Sequence, residues 1–382
     1  MLKTSLTLFF IVSVIFSTIY TPQAILPTLQ KSFDLSMTQT NFLLSGMLFV
    51  LMVITPLYAP IVRRFEKKKI MMVALFFLFL AVLLSAFSTN YTMLLISRVM
   101  QGIFIPGITA TMLVYVQEVY PKEQRGLGMG IYMASTGFGA VMGRLLAGWM
   151  TYLYSWQEAF ALFAFLLLVA LFVLTWGLPS TKVEQGRGKI LKREALFGYL
   201  FKPQILSVLL IPLVVFFSFM AISTFVTYHL AQAPFGLNEA ELGSLFLVLL
   251  LAVVASPLAG YYSDKLGRVK VLFLALSSLV VGILLTLSSS LELILVGMGL
   301  VTIGMFSVQS VTPTYLGDLV PDDRATVAVL YQTFFYMGGA LGTLLPVLAW
   351  GYGGYGAVVM LCVGLVLIGI SPFPLVLFIE RD

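Results

Sequence analysis

Twelve apolar stretches recur along the chain, and the basic residues between them crowd onto alternate connections. A soluble fold has no use for such a pattern, whereas a chain that crosses a bilayer repeatedly requires it. The stretches cover residues 6–28, 40–62, 70–88, 93–115, 127–152 and 159–178, then 205–230, 243–262, 271–289, 293–316, 325–350 and 357–378. Each is about 19–26 residues long, enough to cross a hydrocarbon core about 30 Å thick at about 1.5 Å per residue. Of the 22 basic residues, all but Lys31, Arg98 and Arg144 fall on the side shared by the two termini. Lysine and arginine concentrate in cytoplasmic loops, so both termini are expected in the cytoplasm and the protein in the cell (inner) membrane.

Composition narrows the function classes. The chain is 60% hydrophobic and 10% charged, against about 45–50% and about 25% in soluble domains. A sequence pI of 9.2 would suggest nucleic acid in a soluble chain. Here the basic residues sit in short loops, where topology and anionic headgroups account for them, and no nucleic-acid partner is expected. Cys362 is the single cysteine and His229 the single histidine. An intramolecular disulfide and a thiol-based cluster are therefore excluded, and no metal or cofactor is expected. The first apolar stretch follows Lys3 as a signal peptide would, but it continues well past the usual core of about 7–15 residues and is expected to persist as a helix.

The chain also repeats itself. Pro56-Leu57-Tyr58-Ala59 matches Pro257-Leu258-Ala259-Gly260, and Tyr115 through Pro121 (YVQEVYP) matches Tyr315 through Pro321 (YLGDLVP). Gly139 and Gly143 match Gly338 or Gly339 and Gly342. The offsets stay near 200 residues, and a polar linker with Gly186 and Gly188 separates the copies. The organisation expected is a first six-helix bundle at 1–178, a linker at 179–204 and a second bundle at 205–382. The fold class expected is an all-α membrane protein of twelve transmembrane helices in two pseudo-symmetric six-helix bundles. Parallel repeats of this kind place a substrate site near the midplane.

Four segments carry a family resemblance. Gly260-Tyr-Tyr-Ser-Asp264-Lys-Leu-Gly267-Arg268-Val-Lys270 resembles the loop signature G-x-x-x-D-R/K-x-G-R-R/K of the major facilitator superfamily. Arg98-x-x-Gln101-Gly102 resembles its R-x-x-Q-G element, and Gly139-x-x-x-Gly143-Arg144-x-x-x-Gly148 its antiporter signature G-x-x-x-G-P-x-x-G-G. With Tyr20-Thr-Pro22-Gln23-Ala-Ile-Leu-Pro27, the chain looks similar to the arabinose-efflux-like and multidrug-efflux branches. Two departures stand out. Arg63 and Glu66 occupy the Asp and Gly places of the first loop copy, and Arg144 replaces the antiporter proline.

The resemblance implies a cytoplasmic gate built on Asp264, Gly267 and Arg268, with Glu118, Asp318 and Arg324 near it. The competing reading is topology charge plus a helix cap. For the first copy, Glu66 is expected to pair with Arg63, Arg64 or Arg125. Arg98 and Arg144 lie about five and eight residues inside their spans, at a shared depth of roughly 8–12 Å. A cation there costs about 2.5 kcal/mol or more and usually faces a bundle interior or a cavity. One reading is a positive patch for an anionic or polar solute; the other is a pair of structural ties to backbone carbonyls. The glycines Gly137, Gly139, Gly143 and Gly148 read as one close-packing face of the fifth span.

Substrate contacts are expected from Tyr20, Gln23, Arg98, Gln101 and Arg144 in the first half, and from Phe219, Tyr228, Gln309, Tyr331, Gln332 and Tyr336 in the second. Pro22 interrupts the first span and leaves backbone groups in need of partners. No carboxylate falls in the middle of a span, so His229, which titrates nearest neutrality, and Asp34 are the candidates for proton coupling. The function expected is that of a non-enzymatic secondary transporter, a monomer in the lipid bilayer, exporting a small organic or drug-like solute against protons. Uptake or exchange of a small polar or anionic solute is the alternative, and a non-transporting receptor a second.

Overall fold

The computed structural model describes residues 2–121, 124–180 and 198–370, with most of the linker outside that set. Every regular element among them is helical. The first span begins as Leu2–Tyr20, tightens into a 3-10 turn at Thr21–Ile25 and resumes as Leu26–Ser32. Spans two to six are Met37–Arg64, Lys67–Ala86, Tyr91–Val119, Arg125–Leu153 and Trp156–Gly177. Span seven is Pro203–Leu230, and span eight is Glu239–Ser244, a 3-10 stretch Leu245–Leu251 and Ala252–Leu266. Spans nine and ten are Arg268–Leu285 and Leu291–Leu319. Span eleven starts as Arg324–Leu344, and Pro346–Ile370 follows.

Local chemistry sets these boundaries. Ser36 caps span two reciprocally with Gln39, Asn90 accepts from Met93 N, Ser155 from Glu158 N, and Asn238 caps span eight reciprocally with Glu241. Each cap satisfies amides that have no partner inside their own helix. Among the described residues, eleven helices are long and apolar enough to cross a bilayer. Arg125–Leu153 is as long, at 29 residues, but glycines and Arg144 dilute its hydropathy. Inside Pro346–Ile370, Gly353 and Gly354 leave helical geometry, with Gly354 at φ 59°. The repeat offset of 199 carries Tyr154 and Ser155, the turn between spans five and six, onto these two glycines. Spans eleven and twelve therefore meet there, and the left-handed turn is one that glycine makes without a steric penalty.

The described residues group into two compact units. The first holds spans one to six together with Leu230–Leu247; the second holds span seven and Val248 onward. In the first, spans one and five pack backbone to backbone. A methyl group on Gly139 would overlap the carbonyl oxygen of Ser13, and one on Gly143 that of Ser17. Ser17 Oγ donates to Gly139 O at 3.0 Å across the seam. In the second unit, Gly338 and Gly342 meet Leu213 and Phe217 in the same way. That contact pairs Gly139 with Gly338 rather than Gly339, which faces the Phe216 ring. Close approach of this kind lets dispersion and Cα–H···O contacts hold helices where no hydrophobic effect acts between them. Gly148 belongs to another seam, against Glu239 and Gly243, and Gly137 faces open space, so the four glycines do not form one face.

Candidate solute site and gate

Pro22 organises the centre of the first unit. It has no N–H, so the carbonyl of Thr18, one turn earlier, loses its helical donor. Arg98 supplies the replacement. Its Nη1 donates to Thr18 O at 2.9 Å, its Nη2 to Ile19 O at 2.8 Å and its Nε to Leu43 O in span two at 3.1 Å. Nη1 also donates to Gln101 Oε1. Gln101 passes the network on, from Nε2 to Ser85 Oγ at 2.9 Å, and Ser85 meets the hydroxyl of Ser97 at 2.7 Å. Arg98 and Gln101 are both 0% exposed. Of the two readings of Arg98 from sequence, the geometry is that of a tie: its donors are engaged by main chain and by Gln101.

Arg144 reaches the same interruption from span five and is also 0% exposed. Its Nε donates to Gln23 Oε1 at 2.7 Å and its Nη1 to the carbonyl of Ala140, one turn back, at 2.7 Å. The guanidinium carbon lies 4.1 Å from the centre of the Tyr20 ring and 4.7 Å from that of Phe246. Such faces attract a desolvated cation by up to about 2 kcal/mol. Nη2 is buried with no hydrogen-bond partner. Among the described residues, neither arginine forms an ion pair with a carboxylate.

Of the expected contacts of the second half, Phe219, Tyr331 and Tyr336 join an aromatic cluster in its own unit. Phe216 stacks on Phe335 at 3.9 Å, and Phe219 lies 6.2 Å from both Phe216 and Phe306. Tyr331 and Tyr336 flank Phe335 at 6.0 and 5.7 Å, and the Tyr331 hydroxyl is buried without a hydrogen-bond partner. Tyr228 belongs to a separate group with Phe225 and Trp350. Gln309 and Gln332 are half-buried. His229 stacks on Tyr355 at 4.6 Å, and Asp34 is exposed in the turn after span one at φ 50°. Part-buried Glu239, at the start of span eight, accepts from Thr28 Oγ1 at 2.7 Å.

At the basic end of the second unit, Gly267 links spans eight and nine at φ 92°, ψ 146°, a conformation that glycine adopts without strain. This turn aims Arg268 at two carboxylates. Its Nη1 donates to Asp264 Oδ1 at 2.7 Å and its Nε to Asp318 Oδ2 at 3.1 Å, while Ser263 Oγ accepts from Nη1 at 2.8 Å. The expected cluster of Asp264, Gly267, Arg268 and Asp318 is thus assembled; the side chain of Arg324 lies outside the described residues. In the first unit the equivalent pair is Lys67 Nζ with Glu118 Oε1 at 2.8 Å. Lys67 sits 201 residues before Arg268, and Glu118 sits 200 before Asp318. Glu66 takes the place of Gly267 with ordinary extended torsions and pairs with Lys69 at 3.5 Å rather than with Arg64 or Arg125, and the side chain of Arg63, the third expected partner, lies outside the described residues.

Sequence reasoning misses Lys67 by grouping it with the topology charges, although its offset from Arg268 marks it. It also misses Phe246, for which no sequence signal exists, because the contact depends on Leu230–Leu247 packing with the first unit.

The sequence matches the profile of the Major Facilitator Superfamily over residues 8–238 and 208–382, and the chain belongs to that family. It is therefore a multi-pass membrane transporter and not an enzyme. It is 28% identical over 331 residues to an uncharacterized transporter of Buchnera aphidicola subsp. Schizaphis graminum, a match covering 85% of this chain and 79% of that protein. It is 26% identical to the inner membrane transport protein YnfM of Escherichia coli, covering 94% and 88%. A bacterial homolog of the human lysosomal transporter Spinster shares the fold at TM-score 0.78 and 19% identity, over 97% of this chain and 95% of that one.

Proposed function

We propose that the protein exports a small organic solute across the cytoplasmic membrane against a proton gradient, as a monomer with both termini in the cytoplasm. The observation that carries this reading is the polar centre of the first unit. Arg144, Gln23 and Tyr20 converge beside the interruption of span one, deep in an apolar body and without a carboxylate to close it. Aromatic surfaces with few polar groups suit an amphipathic ligand, and Tyr20 and Phe246 supply them beside Arg144. The seam of Gly139 and Gly143 in the segment resembling the antiporter signature supports export, and the basic bias of the loops supports the orientation. Arg268 with Asp264 and Asp318, and Lys67 with Glu118, are the gate pairs. His229, Asp34 and Glu239 are the titratable groups through which protons couple.

Everted vesicles test this directly. Solute uptake that follows an imposed proton gradient and stops when the gradient is collapsed is the expected result. Uptake that ignores the gradient favours the second reading, uptake or exchange of a small polar or anionic solute, which buried Arg144 also supports.

A further inference from the structure

The repeat provides an internal control on every buried polar residue. Span one aligns with span seven through the seam contacts, Ser13 to Leu213 and Ser17 to Phe217, and span four aligns with span ten through Tyr115 and Tyr315. On that alignment Pro22 corresponds to Ile222, Arg98 to Met298 and Gln101 to Val301. Span seven runs as one helix, Pro203–Leu230, through Ile222. Where the break is missing, the arginine that services it is missing too. Arg98 is therefore accounted for by the fold of its own half.

Arg144 is not. It corresponds to Thr343, whose hydroxyl bonds back to Ala340 O at 3.0 Å and whose helix keeps the same glycine seam. Close packing of these spans thus needs no cation at this position. Arg144 brings a charge into a fully buried place, receives two hydrogen bonds' worth of partners and two aromatic faces, and leaves Nη2 with nothing to donate to. A buried charged donor in that condition is costly and is expected to have a partner in some state of the protein.

From this geometry we infer that Arg144 is the anchor for a solute carboxylate, which takes the Nη2 edge of the guanidinium. Four features select that class. Among the described residues Arg144 forms no ion pair with a carboxylate, so an anion neutralises it and a cation is repelled. The Tyr20 and Phe246 rings lie against the guanidinium at 4.1 and 4.7 Å, and the atom left unpartnered is Nη2, on the in-plane edge that a carboxylate approaches in arginine. Nε is already held by Gln23, which fixes the orientation of that edge. The surroundings are apolar and aromatic, so the rest of the solute is an apolar body. This deepens the export reading by naming its substrate class and rests on that reading.

The test uses purified full-length protein in detergent, with benzoate as the probe and benzamide as its uncharged counterpart. Ligand that binds only the folded state raises the melting temperature with concentration. Benzoate should do so in the wild type and benzamide should not. Arg144→Gln, provided it is monodisperse, should lose the response, and Arg144→Lys should weaken apparent affinity by roughly tenfold or more, since its point charge lacks the planar edge. Gln23→Glu supplies an internal carboxylate beside Nε. It should abolish the benzoate response while the protein stays folded, and a benzoate response that survives it would place the carboxylate elsewhere. Equal responses to benzoate and benzamide, a response to chloride matching that to benzoate, or a benzoate response intact in Arg144→Gln would each overturn the inference. Vesicle assays separate this from the broader reading. Gradient-driven movement of neutral or cationic solutes with no benzoate binding leaves export standing and removes the carboxylate anchor. Arg144-dependent benzoate binding with no solute movement under a gradient does the reverse.

Discussion

If Arg98 exists to serve the carbonyl that Pro22 orphans, the two residues must be energetically coupled, and the second half of the chain supplies the substitutions with which to measure it. Arg98→Met and Pro22→Ile install the residue types found at 298 and 222. With Pro22 present, removing the guanidinium leaves Thr18 O buried without its 2.9 Å donor, at a cost of about 1–3 kcal/mol for the unsatisfied acceptor. The bonds to Ile19 O and Leu43 O are lost as well, offset in part because a desolvated charge is removed with them. That offset makes the single substitution a poor test and the cycle a good one. In the Pro22→Ile background a backbone N–H is restored to Thr18 O, so Arg98→Met should cost less by about the orphan's 1–3 kcal/mol, while every other consequence cancels. Reversible unfolding of the four proteins in mixed micelles gives the interaction energy. A value within about 0.5 kcal/mol of zero, the range of independent sites, would refute the idea that Arg98 answers Pro22.

Three further outcomes are expected. Asp264→Asn should leave the protein inserted and expressed at normal levels but slow solute transport in vesicles, because Arg268 then keeps only Asp318 as a charged partner; unchanged transport would reduce the cluster to topology charges. The two gate pairs should differ in stability cost. Lys67 is 4% exposed, so Glu118→Gln strands a buried ammonium and should cost up to about 3 kcal/mol, whereas Asp318, 50% exposed, should cost under about 1 kcal/mol on change to Asn. Melting temperatures in detergent would show that order. Gly143→Ala and Gly342→Ala should each destabilise by about 1–3 kcal/mol through overlap with the carbonyls of Ser17 and Phe217, while Gly137→Ala, facing open space, should be neutral or stabilising by up to about 1 kcal/mol, again read from melting temperatures.

The parts of the fold legible in the sequence are those with a strong one-dimensional signal. Span positions follow from hydropathy. The stretches 325–350 and 357–378 bracket the turn between spans eleven and twelve, although the helical stretch Pro346–Ile370 carries it inside. The triad at Asp264, Arg268 and Asp318 is legible because its residues sit at signature spacing and repeat-matched positions. Tertiary partnership is not. Gln23 and Arg144 are both candidates from sequence, but nothing in one dimension shows that an amide in span one orients a guanidinium in span five, or that the two arginines at equal depth have different partners. Gly137 is misplaced for a simpler reason. Residues 137 and 139 lie about 200° apart around a helix, so they cannot share a face.

A duplicated fold sorts its residues by what recurs. The glycine–carbonyl seams, the ion pair joining the start of span three or nine to the end of span four or ten, and the turns after spans five and eleven appear in both halves. The seams and turns are what six helices of this arrangement need in order to pack and to join, and the ion pairs recur with them as the proposed gate. The broken first span and its arginine appear once, but as a matched set, in which the proline opens a carbonyl and the guanidinium closes it. That leaves the other arginine. Arg144 interrupts no helix, closes no broken hydrogen-bond ladder and has a threonine for a counterpart in a seam that packs equally well. What the break does give it is Gln23, brought round by the 3-10 turn to hold Nε. The interruption of span one therefore has two faces. On one, Arg98 repairs the backbone; on the other, Gln23 presents Arg144 with one edge unspent. A fold that needed only the repair would have kept a small residue at 144, as it did at 343.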